Sequence, residues 1–334
     1  MAGALLLRVA RALGTAWLIA SALFLLSRSL PGAAPQLFTD ERVGTFGQQA
    51  AAETDYQQRL GLQTPLFYFR LLPWRWHGTP NQYHRWLTQV SRGELGSSFR
   101  DGTAVTEHLR RALQLTLPLT GSALLLGAGL SLLLAQWAAR RPRWYRRLVS
   151  AGYFLDSLPL FVVGMLLLLL LANPDFWPLF PAYGLPADFS VTGARPWQAA
   201  PYFVLPVTAL TISSLPALFL PVAAALREQW QQPYVATARA KGASRQRTSW
   251  RHVLPNAAPV FFTRLADLVP GVVAGAVVIE VVFALPGMGR LLAEAAAARD
   301  VPVLVGGVLL IAAVRLLAWL LADFLNVLLD PRLL

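Results

Sequence analysis

"PWQAAPYFVLPVTALTISSLPALFLPVAAAL", residues 196–226, runs for 31 residues without a charged side chain. A helix needs only about 20 apolar residues to cross the hydrocarbon core of a bilayer. A second such run, Ala112–Ala139, has 28 uncharged residues. Neither shows the in/out alternation of a membrane barrel. With no water to satisfy the backbone in the bilayer, the crossing segments must then be helices. The rest of the chain agrees. It is 55% hydrophobic and 14% charged, with mean hydropathy +0.48, against about 25% charge in an ordinary soluble chain. The sequence therefore specifies an all-α polytopic membrane protein.

Six spans are expected, at roughly 8–28, 112–138, 149–172, 200–226, 259–283 and 302–328. The divisions that follow are a cytoplasmic N-terminus with the first helix (1–28), an extracytoplasmic segment (29–111), a core of five helices (112–328) and a cytoplasmic tail (329–334). Basic residues in short loops set the orientation, because they are retained on the cytoplasmic side. "RRPRWYRR" (140–147) has five arginines, and the loop 227–258 has six basic residues and one acid, Glu228. The alternate loops 173–199 and 284–300 carry one and two basic residues. The first pair is thus expected in the cytoplasm, as are both termini. Trp137, Trp144, Tyr145, Trp177, Tyr183, Trp197 and Tyr202 fall near span ends, where an aromatic belt belongs. The opening segment could pass for a signal peptide. A retained first span, about Ala10–Leu26, orients the later ones consistently.

The net charge of +12 arises largely from these flanks, so it points to the lipid bilayer and not to nucleic acid. There is no cysteine, which excludes disulfides and thiolate metal sites. The outer segment therefore has to hold by packing. Its cluster Phe67, Tyr68, Phe69, Trp74, Trp76, Tyr83 and Trp86 reads as a small packed cap; a docking surface for an external partner is the sharper alternative.

Between the fourth and fifth spans lies "YVATARAKGASRQRTSWRHVLPNA" (234–257), which holds the only lysine, Lys241. Pro233 suits the first turn of a helix. Gly242 supplies a left-handed stop, Ser244 a cap for a second helix, and Pro255 an end to it. The first helix, at about 12 Å, is too short to be stable alone and must dock on something. Ala236, Ala238 and Ala240 would let it enter a groove closely. Trp250, Val253 and Leu254 share a face at helical spacing, and Arg247 and Arg251 form a basic edge. Taken alone, the pattern also fits a basic amphipathic loop on anionic lipid.

The order of small residues, Gly242, the His252 position and Leu254-Pro255 resembles the cytoplasmic "EAA" loop of ABC-importer permeases. That consensus is EAA, three residues, Gly, nine residues, Ile, any residue, Leu-Pro. Ala236-Thr237-Ala238 stands at the EAA positions and His252 at the Ile position, so Glu and Ile are absent from this copy. The peptide branch writes the loop as "YVxTARAKG…RHxLxNA", close to 234–242 and 251–257. "RLGLQTPL" (59–66), "GELGSSFRDGTAV" (93–105), "LTLPLT" (115–120), "EVVFALPGMGRLLAEAAAARDVPVLVGGVLLI" (280–311) and "LLDPRLL" (328–334) look like the same branch. The aromatic-rich 67–87 is longer than that pattern leads one to expect.

The resemblance, to dipeptide/oligopeptide permeases of the B type, implies a six-helix importer permease of type I in a bacterial inner membrane. Peptides are the implied solute, with nickel or another small solute as the alternative. Implied partners are a second homologous permease subunit, two ABC ATPase subunits and an extracytoplasmic solute-binding protein. The insert 233–257 would be the coupling helix. By position, Tyr234, Thr237, Ala238, Arg239, Ala240, Lys241 and Gly242 would meet the ATPase, while Arg251, Leu254 and Asn256 brace the loop. No cofactor is expected on this chain. Lys241 is followed by glycine, whereas a P-loop needs Gly-Lys and then Ser or Thr, so ATP and magnesium would sit on the partner chains.

Charges within spans are costly and usually face protein or water. Asp156, Arg264, Asp267, Glu280, Arg315 and Asp323 are the cases here. Arg264 and Asp267 have the spacing to pair. Glu280, Arg315, Asp267 and Asp323 are candidates for the pathway or for intramembrane pairing. An intramembrane hydrolase is disfavoured, since HExxH and GxSxG are absent and His77, His84, His108 and His252 all lie outside spans. A secondary transporter, working without ATPase partners, is the remaining rival.

Overall fold

The structure is a computed structural model that describes residues 2–29, 64–70, 75–182, 184–185 and 196–329. It is nearly all helical. In chain order the helices are α1 Ala2–Ser29, α2 Gln82–Ser91, α3 Val105–Ala139, α4 Pro142–Asp156, α5 Leu160–Leu171, α6 Pro196–Trp230, α7 Pro233–Ala240, α8 Arg245–Thr248, α9 Leu254–Val282, α10 Met288–Ala297 and α11 Val301–Leu329. A two-residue antiparallel ladder, β1 Phe69–Arg70 with β2 Arg75–Trp76, is an addition to the all-α expectation.

Among the described residues, five helices are long and apolar enough to cross a membrane, and the pair α4 and α5, bent by 98° at its break, makes a sixth when taken as one span. The continuous span expected over 149–172 is thus broken. The cause lies in Ser157-Leu158-Pro159: proline has no N–H to donate and disfavours helical backbone in the residue before it. The lone prolines of α6 act differently, since Pro201, Pro206, Pro216 and Pro221 all lie inside one 35-residue helix.

Two compact units can be distinguished. One contains 1–14, 111–291 and 311–334; the other contains 15–110 and 292–310. The first has two buried apolar clusters. Leu119, Val163, Leu205, Leu210, Ile279 and Phe283 belong to one. Ala138, Leu218, Val222, Leu226, Val235, Val253 and Ala257 belong to the other. Small residues permit the close approach: a Cβ added to Gly275 would stand 2.9 Å from Leu160 Cδ2.

In the second unit part of the aromatic cluster packs as a cap around Tyr83, while Trp76 is 67% exposed. Tyr83 is fully buried and meets Phe24 of α1 edge-on at 5.3 Å and Phe67 at 4.8 Å. Its hydroxyl lies 2.6 Å from Ser21 Oγ, which gives the buried ring the polar partner it needs. Trp74 lies outside the described residues. In the same unit Ser98 Oγ donates to buried Asp300 at 2.5 Å, and the Phe99 amide donates to it at 3.2 Å. This joins the "GELGSSFRDGTAV" loop to the start of α11.

Candidate functional site: a coupling insert and a closed carboxylate nest

The insert folds as two short helices with a turn at Gly242, whose φ is +84°, a region that favours glycine. Ser244 caps the second helix, its Oγ accepting from the Arg247 amide at 3.2 Å. Pro255, however, does not end that helix. It occupies the first turn of α9, where a missing N–H costs nothing. Between α8 and α9 the backbone makes a π-turn over Ser249–Val253. The wider turn shifts the register, so Trp250 is 48% exposed while Val253 is fully buried. The expected common face of Trp250, Val253 and Leu254 is therefore split.

The underside of α7 is anchored. Val235, which the motif comparison did not single out, is buried with Leu226, Val253 and Ala257. The Tyr234 hydroxyl donates to Gln229 Oε1 at 2.8 Å and meets Asn256. Burial is the main influence on it and pushes its pKa up. The outer side is open: Ala236, Thr237, Arg239, Ala240, Lys241 and Gly242 are exposed, and Ala238 is half-buried. Leu254 packs against the apolar cluster, and Asn256 Nδ2 donates to the His252 carbonyl at 2.6 Å. Leu254 thus faces the apolar cluster, whereas Asn256 is exposed and its bond stays within the insert. Arg251 is exposed and has no ion pair among the described residues.

A further tie was not evident in the sequence. Ser249 Oγ donates to Gln136 Oε1 at 2.6 Å, and both residues are buried. The insert is thereby fixed to the end of α3, 113 positions away in sequence. Gln136 is one of two amides in the uncharged run Ala112–Ala139, with Gln114, and that polarity was the available signal.

At the other end of α9 the chain turns back through Ala284, at φ +53°, into α10. Glu280 is 1% exposed. Thr116 Oγ1 donates to its Oε1 at 2.6 Å, and the Gly289 amide donates to its Oε2 at 2.6 Å. The Arg290 amide adds a third donor, and the Met288 amide donates to Thr116 Oγ1 at 2.8 Å. Glu280 thus caps the N-terminus of α10, its carboxyl oxygens accepting from amides that a helix start leaves free. Glycine is required beside it. A Cβ on Gly287 would stand 2.2 Å from the Glu280 carboxylate, and one on Gly289 would stand 2.2 Å from the Val277 backbone.

The other candidate charges do not gather. Arg264 and Asp267 form a loose pair, 3.8 Å apart and about half-exposed. Arg315 is exposed, its guanidinium 5.7 Å from the Trp319 ring centroid. It has no carboxylate partner among the described residues, so the pairing considered for it inside the bundle is not seen among them. Asp156 is exposed at the break. Asp323 lies in α11, but its side chain is outside the described set.

Comparison with known proteins gives these features a context. The family described as "Binding-protein-dependent transport system inner membrane component" matches residues 127–334. The "Oligopeptide transport system permease protein AppB" of Bacillus subtilis (strain 168) is 27% identical over 93% of this chain and 92% of its own. The "Metal-staphylopine import system permease protein CntB" of Staphylococcus aureus (strain Mu50 / ATCC 700699) is 31% identical over 75% of this chain and 77% of its own. The spans, the insert and the nest accordingly stand in a permease subunit of an ABC importer, and the chain belongs to the family of binding-protein-dependent transport system inner membrane components.

Proposed function

We propose that this subunit forms part of the pathway by which a bacterial importer takes up peptides, and that α7 transmits the ATPase cycle to it. One observation carries the second part: α7 is packed on its side toward the spanning helices and exposed on its other side. A two-turn helix with a buried Val235 and a tethered Tyr234 moves with α6 and α9, while its small, exposed upper side offers a groove-sized contact. Switching a gate from 1:99 to 99:1 requires about 5.5 kcal/mol of differential binding, and only an element that moves as a unit can deliver it.

In this reading the insert and both termini face the cytoplasm. Two ATPase subunits bind ATP and magnesium beneath the membrane. A second homologous permease completes the pathway, and an extracytoplasmic binding protein delivers the solute. The peptide assignment follows the AppB likeness; the CntB likeness favours a metal-chelate solute as the second reading. Arg315, exposed near the middle of α11, is proposed to face protein or pathway water, because the bilayer centre charges about 2.5–3.5 kcal/mol for an arginine.

The test is ATP-driven uptake by the reconstituted complex, with radiolabelled trialanine and a nickel chelate as competing probes. Uptake of trialanine supports the peptide reading, and uptake of the chelate alone replaces it. Uptake that persists when the ATPase subunits are omitted contradicts the coupling role.

A further inference from the structure

The corner between α3 and α4 combines features that the transport reading leaves unused. Trp137 and Trp144 are partly exposed, with ring centroids 5.0 Å apart. The Arg141 guanidinium lies 5.1 Å from the Trp137 ring and that of Arg147 lies 5.4 Å from the Trp144 ring. Paired indoles at the end of a span set the level of the lipid headgroups. Arginines held over them by cation–π attraction keep their charge at that level.

Below this pair the polar bookkeeping is incomplete. Gln136 is 5% exposed. Its Oε1 takes hydrogen bonds from Ser249 Oγ and from Arg140 Nη2 at 3.1 Å. Its Nε2 and Arg140 Nε are buried donors with no acceptor. Each such donor costs about 1–3 kcal/mol. Burial, and then the neighbouring Arg245, push the Arg140 guanidinium below the ordinary arginine range. Two like charges and two idle donors at one corner define a place for an anion.

We propose that this corner seats the phosphate of an anionic phospholipid headgroup, held by Arg140 and Arg245 and flanked by the Trp137–Arg141 and Trp144–Arg147 stacks. The source is lipid and not free phosphate because the indoles fix the seat at headgroup depth. The seat has a consequence for coupling. Arg245 belongs to the insert, and Gln136 is bonded to Ser249 of the insert, so a bound headgroup braces the insert against α3. The lipid then acts as a structural ligand of the coupling element.

The experiment uses the full chain in detergent and reads its thermal unfolding midpoint. The additions are phosphatidylglycerol, phosphatidylcholine and inorganic phosphate, each tested separately. Arg245→Gln, at the exposed start of α8, and Arg140→Gln are compared with a control, Arg143→Gln/Arg146→Gln, which removes two exposed charges from the first turns of α4. Phosphatidylglycerol is expected to raise the midpoint of the wild type and of the control. Its apparent affinity should fall about tenfold in Arg245→Gln, as losing one charge-assisted hydrogen bond implies. Mass spectra of the intact protein should retain phosphatidylglycerol in the same order. An equal response to phosphatidylcholine or to inorganic phosphate overturns the proposal. So does an equal loss in the control, which would mean diffuse attraction only. If Arg140→Gln fails to fold, Arg245→Gln decides the outcome alone.

Discussion

The two ends of helix α9 hold the two most distinctive stretches of this chain, and they are built in opposite ways. At the Val282 end, Glu280 is enclosed, its oxygens bonded to Thr116 and to the Gly289 amide, with glycines where any side chain would collide. At the Leu254 end, the insert is anchored on one side through Val235, and Ala236, Thr237, Ala240 and Lys241 on its other side are exposed among the described residues. A stretch that satisfies itself maintains the shape of the subunit. A stretch held on one side and exposed on the other is, in the function proposed above, the contact for another chain. The difference yields opposite expectations for mutation, since stability should respond at the nest and transport at the insert.

The largest effect is expected at Gly289. Gly289→Ala drives a methyl into the Val277 backbone, which cannot rotate away as a side chain could. Overpacking costs about 1–3 kcal/mol or more, so the detergent-solubilised protein should lose several degrees of unfolding midpoint or fail to accumulate. An unchanged midpoint would mean that the nest is not closed. Next comes Glu280→Gln, which keeps the volume but turns an amide donor toward donors. A loss of about 1–3 kcal/mol is expected. Combined with Thr116→Val, the loss should be clearly less than additive, because both changes break one network.

At the insert the expectation reverses. Ala240→Leu adds volume to an exposed position and should move stability by no more than about 0.5 kcal/mol. Uptake by the assembled importer should nevertheless fall sharply if this face enters a groove. A variant that lost stability but kept uptake would erase the contrast. Ser244→Ala sharpens it: losing the cap is expected to cost about 1 kcal/mol, a local loosening visible as faster amide exchange at Arg247.

The smallest effect concerns pH. Asp101 accepts from the Thr103 amide first, then from the Thr103 hydroxyl and from His108, and these hold its carboxyl below the usual carboxylate range. With the folded value depressed, its contribution is complete above the unfolded value, about 3.9. It fades only as pH falls below that toward the folded value. Asp101→Asn should therefore narrow stability slightly at pH 7 and pH 5 alike, with the difference from wild type vanishing only in strong acid.

The membrane architecture was readable because hydropathy acts locally: a 31-residue uncharged run declares itself. The turn at Gly242 and the Ser244 cap were readable for the same reason, as one residue type answers one backbone need. The break before Pro159 was also written locally, in the pre-proline rule, but the apolar run on either side outweighed it. The rest required three dimensions. Glu280 was visible as a charge in a span, yet Thr116 is 164 positions away and gives no sign of its role. Ser249 and Gln136 are similarly remote, and the π-turn that separates Trp250 from Val253 has no sequence signature. Positions that would contact other chains could be named only by motif, since a face that waits for a partner looks like any other exposed face.

The bare face of α7 offers the most direct test, and the absence of native cysteine makes it clean. Ala240→Cys, with single cysteines placed in the groove of the ATPase subunit, should form crosslinks to that subunit whose yield changes when ATP is added. Crosslinks found only to lipid, or to a second copy of this chain, with no ATPase captured in any nucleotide state, would contradict the account.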